Sequence, residues 1–146
     1  MSEQYGYILL EAEKWWNKRR SQSEMGKRQH AFVRRGKVGP LTTEILFFYV
    51  NKPAREIRSK AEFIERVTGK ADALWDKYGV ETVFESYSEY KEFVGGREDI
   101  TFIRFKNLQE LIQPVSAKIF LERTGGSSML SRNGRYISKD LAITFI

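Results

Sequence analysis

The apolar residues of this chain fall mostly in short continuous or alternating runs, the pattern of strands, with helical spacing confined to a few segments. Tyr7–Leu10 reads as a short buried strand and Glu11–Arg20 as a helix or irregular arm carrying Trp15 and Trp16. Gln29–Arg34 reads as a second strand, ended by Gly36 and the Gly39-Pro40 pair. Glu44–Val50 (EILFFYV) is the strongest strand, and its unbroken β-branched and aromatic run predicts burial on both faces. Asn51-Lys52-Pro53 turns the chain into Glu56–Arg66, where Ile57, Ser59, Ala61, Phe63 and Glu65 share one face by strict alternation, so the two runs read as a hairpin.

Helical spacing then takes over. Asp72–Tyr78 is a helix that Gly79 is expected to cap, and Ser86-Tyr87-Ser88-Glu89 fits a capping box opening a helix through Val94, closed by Gly95-Gly96. Trp75, Tyr78, Tyr87, Tyr90 and Phe93 fall at helical spacing and are expected in the core. Ile100–Lys106 returns to strand. Pro114 is expected to break the segment after it, Ala117–Arg123 is a short helix before the Gly125-Gly126-Ser127-Ser128 loop, Asn133-Gly134 is a turn, and Ser138 caps a last helix from Lys139. Helices inserted among strands, with no Gly-rich phosphate loop after any strand, predict an α+β fold: a compact mixed sheet or a small, partly open barrel with flanking helices. Residues 1–146 form one domain at this length.

Composition removes several functions. The chain has no cysteine and one histidine, His30, so thiolate or multi-histidine metal sites and disulfides are excluded, and a Ser-His-Asp arrangement has no motif to support it. No metal and no cofactor is expected. No run approaches the roughly 18 apolar residues of a membrane span, and no signal-peptide pattern opens the chain, so a soluble cytoplasmic protein is expected, without a membrane partner.

Charge matters by its location. Lys14 to Lys37 carries nine basic residues (Lys14, Lys18, Arg19, Arg20, Lys27, Arg28, Arg34, Arg35, Lys37) against Glu24, a net of +8; the whole chain nets +6, so the remainder sums to −2. A smaller basic group lies at Arg123, Arg132, Arg135 and Lys139, while Glu81 to Asp99 is acidic. Lysine and arginine neutralise phosphates, and the interleaved Trp15, Trp16, His30 and Phe32 offer flat groups for unpaired bases. The candidate RNA-contacting set is therefore Trp15, Trp16, Lys18, Arg19, Arg20, Lys27, Arg28, His30, Arg34, Arg35 and Lys37.

Gly26-Lys27-Arg28-Gln29-His30-Ala31-Phe32-Val33-Arg34 resembles the G-x-K-x-x-E-x-R motif of ASCH domains, with Ala31 at the Glu position and Arg34 one place late. EILFFYV followed by AREIRSKAEFIERV resembles the recurring barrel-wall hairpin of the PUA-like superfamily, the group of PUA, ASCH, EVE and YTH domains. Within it the chain is most similar to uncharacterised archaeal PUA-like proteins. The resemblance implies a small pseudobarrel with a cleft used to bind RNA or a modified base. It also implies an alternative: a small hydrolase acting on a modified nucleoside, for which Lys27, Thr42 or Thr43, and Glu62 are the candidates. A protein-interaction module is a third reading, in which the basic patch meets an acidic partner. The binding module is favoured over the enzyme, with the cleft expected between the Gly26–Arg34 segment and the hairpin wall, near Gly39–Thr43.

Overall fold

The computed structural model describes residues 4–124 and 134–146. Six strands, β1 (Gly6–Glu11), β2 (Gln29–Arg35), β3 (Ile45–Val50), β4 (Glu56–Lys70), β5 (Asp99–Ser116) and β6 (Arg135–Ile137), form one mixed sheet in the order β2-β5-β4-β3-β1-β6. β1 and β3 are parallel and the other pairs antiparallel. The helices are α1 (Glu13–Glu24), α2 (Ala71–Tyr78), α3 (Tyr87–Val94), α4 (Ala117–Arg123) and α5 (Lys139–Ala142), with a 3-10 turn at Gly79–Glu81. The expected α+β mixed sheet with flanking helices is the observed fold. The Gly125–Ser128 loop, Arg132, and Asn133 of the expected turn lie outside the described residues.

The hydrophobic pattern explains why β3 and the first half of β5 are covered on both faces. In β3, Leu46, Phe48 and Val50 point into an inner cluster with Tyr7, Leu9, Trp16, Phe32, Ile103 and Phe105. Phe47 and Tyr49 point the other way, into a cluster with Phe120 of α4 and Phe145 beyond α5. In β5, Phe105 faces inward while Ile100 and Phe102 pack under Leu74 of α2 and Tyr90 and Val94 of α3. Continuous apolar runs are thus what two covered faces demand.

Four local expectations are corrected. Strict alternation fails in β4, because register shifts fall between Ile57 and Ser59, Lys60 and Glu62, and Phe63 and Glu65; Ile57 joins the outer cluster while Ala61 joins the inner one. Such bulges bend a long strand around a barrel wall. Pro114 does not end β5, which runs through it to Ser116: partners in β4 jump from Glu110 to Val115, so the missing N–H falls where no ladder bond is needed. Gly79 is no left-handed cap, having φ −55° and continuing into the 3-10 turn; a Cβ there would lie 2.6 Å from the Trp75 ring, so close approach, not backbone freedom, requires glycine. Among the aromatic residues expected in the core, Tyr90 is fully buried, but Tyr87 is 45% exposed and donates its hydroxyl to Asp72.

Candidate nucleic-acid interface

β1 and β2 stand at opposite parts of the strand order and do not pair, which leaves the pseudobarrel with an open seam. A cleft of about 710 Å³ lies there, within the size range of ligand sites. Its walls come from the end of β1 (Leu10, Glu11), the start of α1 (Trp15, Arg19), the end of β2 (Phe32 to Arg35), Val83 and Phe84, Phe93 of α3, and Arg97. Trp15 is half-buried and stands edge-on to Phe84 and Phe93, with centroids 5.2 and 6.1 Å away. Arg34, Arg35 and Arg97 line the same cleft; the Arg35 guanidinium lies 5.0 Å from the Phe93 ring and that of Arg34 5.9 Å from Phe32.

At the floor, Arg19 bridges the seam. Its Nη2 donates to Glu11 Oε1 at 3.0 Å and its Nη1 to the Ala31 carbonyl of β2 at 3.4 Å, while the guanidinium lies 5.4 to 5.8 Å from the rings of Phe32, Phe48 and Phe105. Burial pushes the Glu11 carboxyl up, and the charge and hydrogen bond of Arg19 oppose that rise.

The basic segment divides on folding. Arg19 is 2% exposed, so its predicted phosphate contact is corrected to a buried ion pair. Trp16 is likewise corrected: 3% exposed, it donates Nε1 to Ser59 Oγ at 3.0 Å and packs in the inner core. His30 is fully buried and stacked on Phe105 at 5.3 Å, which removes it from any nucleic-acid surface. Burial first, then Arg19 and Lys27, lower its pKa to about 3 against a weaker opposing contact with the Lys27 backbone, so the ring is neutral.

Lys18 pairs with Glu85 and Glu89 at 3.5 and 3.3 Å, and Arg20 lies 5.3 Å from the Trp16 ring. Gly26, at φ +102°, ends α1 with the Lys27 N–H on the Gln22 carbonyl, a left-handed stop that glycine adopts readily. Lys27 is half-buried and donates to Thr82 O at 2.7 Å and Gln22 Oε1 at 3.0 Å. Burial and Arg19 lower its pKa to about 8, with Glu81 opposing. Arg28 and Lys37 are exposed outside the cleft wall, whereas Arg34 and Arg35 line it; Arg35 Nε donates to the Phe93 carbonyl at 2.9 Å.

The catalytic alternative is not assembled. Thr43 donates to the Tyr5 carbonyl, Thr42 is exposed, and Glu62 is exposed with Lys106 and Asn107 as partners, beside a separate depression of about 360 Å³. None of Lys27, Thr43 and Glu62 lines the cleft or contacts another of the three. The cleft itself lies away from Gly39–Thr43, a further correction. Residue-type reasoning missed Glu11, Phe84, Phe93 and Arg97. An arginine just past the Gly95-Gly96 turn, inside an acidic stretch, is a signal that pointed to the last of these.

No family model matches the sequence, and no curated protein matches it significantly. Solved structures match the fold over nearly the whole chain. A serine-to-alanine variant of the ASCH protein from Zymomonas mobilis has a TM-score of 0.78 at 18% identity, covering 99% of this chain and 96% of that one. The structure titled ASCH from the same organism gives 0.76 at 16% identity, covering 96% and 92%, and a tyrosine-to-phenylalanine variant gives 0.77 at 18%, covering 96% and 95%. The fold of this chain is the one these ASCH structures share.

Proposed function

We propose that this domain binds RNA and takes one unpaired or flipped-out nucleotide, modified or not, into the seam between β1 and β2. One observation carries the reading: the 710 Å³ cleft joins an aromatic wall of Trp15, Phe84 and Phe93 to a rim of Arg34, Arg35 and Arg97. Aromatic faces stack bases without regard to sequence, and arginines fork onto phosphate oxygens, so the two together fit a nucleotide. The ASCH-type fold supports the same reading. The proposal extends to a cytoplasmic protein akin to the archaeal PUA-like proteins it resembles.

The test is anisotropy with labelled single-stranded RNA at low salt. Arg35→Ala combined with Arg97→Ala weakens binding about tenfold, and Trp15→Ala weakens it by about 1–3 kcal/mol, the value of one stacked base. Lys118→Ala with Lys139→Ala, on α4 and α5, leaves it unchanged. Equal losses from both pairs, or no binding by folded wild type, sink the proposal.

A further inference from the structure

At the end of β1, a buried carboxylate belongs to one of the residues that line the cleft. Glu11 lines the cleft, its side chain is 3% exposed, and its Oε1 is committed to Arg19. Its Oε2 has no hydrogen-bond partner in the protein. A buried carboxylate oxygen left unmatched is costly, and native structures nearly always match it. Arg19, packed among three phenylalanine rings and bonded to Ala31, keeps the carboxylate from turning away. The acceptor is therefore held in place by its ion pair with Arg19.

Resting on the nucleotide-binding reading above, we infer that Glu11 Oε2 accepts a hydrogen bond from the exocyclic amino group of the base in the cleft, so that the site selects adenine, cytosine or guanine over uracil. An ionised carboxylate only accepts. An amino group meets it with an N–H, as carboxylates meet cytosine N4 in known readout. Uracil has no amino group; its one ring donor, N3–H, lies between two carbonyl oxygens, which bring lone pairs against the carboxylate. In a desolvated site that mismatch discriminates far more strongly than a missing apolar contact.

The experiment compares equal-length oligoadenylate, oligocytidylate, oligouridylate and an abasic backbone, each titrated against folded wild type. Oligoadenylate and oligocytidylate bind at least about tenfold tighter than oligouridylate, the size of one charge-assisted hydrogen bond. Glu11→Gln keeps an oxygen for Arg19 and turns an amide N–H₂ toward the ligand, so the preference collapses to within about twofold or reverses toward uracil. Should the altered ion pair disturb folding, Glu11→Leu with Arg19→Met replaces it by apolar groups of similar volume. With its melting transition intact, that double variant binds all three oligomers alike. Equal binding of the three by wild type, all tighter than the abasic backbone, overturns this inference and leaves RNA binding standing. So does a Glu11→Gln protein that keeps the preference. No binding of any oligomer overturns the RNA reading itself.

Discussion

At the scale of single residues, burial reassigns the groups that looked most like ligand contacts. His30 stacks on Phe105 with an interplanar angle of 13°, and its folded pKa of about 3 lies below the ordinary value of 6.5. The neutral ring therefore contributes stability that is present above pH 6.5 and lost as pH falls toward 3, at up to about 1.4 kcal/mol per pH unit. Between pH 7 and 5, wild type should lose up to about 2 kcal/mol more than His30→Phe, read from urea midpoints at the two pH values. Any packing strain from the larger ring is pH-independent and leaves the difference in slope readable; identical slopes would refute the assignment. The sequence showed a histidine between basic residues on a strand, but which face that strand turned inward depends on its pairing with β5, a contact across more than 60 positions. Arg19 and Trp16 were misread for the same reason: their partners Glu11, Ala31 and Ser59 are set by tertiary packing, not by spacing.

Elements were more legible than sites, because each announces itself locally. Every strand but β6 and every helix but α1, which read as a helix or an irregular arm, was visible as a run, a period or a cap, and the misses lie where a long-range contact overrides the local rule: bulges in β4, continuation of β5 through Pro114, and the packing glycine Gly79. The capping signal at α3 is a case where local chemistry held. Ser86 Oγ accepts the Glu89 N–H at 3.1 Å, while Glu89 accepts the Glu85 N–H at 2.9 Å, one residue before the position a strict capping box uses. A helix of eight residues has little intrinsic stability, so its cap matters. Ser86→Ala should lower unfolding free energy by about 1 kcal/mol, and Ser86→Asp should restore most of it, as measured by chemical denaturation. Because α3 carries Phe93 into the cleft and Glu89 to Lys18, hydrogen exchange in the variant should rise first across α3 and not in β3. A uniform rise would show that α3 has no independent role in shaping the seam.

For the whole molecule, folding changes what the charge means. The sequence places +8 between Lys14 and Lys37, which by itself predicts a broad phosphate-binding strip. Folding turns Arg19 inward onto Glu11, ties Lys18 to two glutamates and Lys27 to two oxygens, and brings Arg97 from the acidic stretch of the chain to the cleft. On the proposed reading, the cationic groups that meet RNA are the cleft-lining Arg34, Arg35 and Arg97. Single-stranded RNA releases counterions with a slope of about 0.7 per neutralised phosphate, so three contacts give a log–log salt slope near 2, whereas all nine basic residues would give about 6. Titrations from about 50 to about 300 mM salt separate these values. A slope near 6 would show that the linear patch acts as a unit and that the seam is incidental. A slope near 2 that drops to about 0.7 in the Arg35→Ala, Arg97→Ala variant would assign the phosphates to the seam, since only groups touching the backbone release its ions.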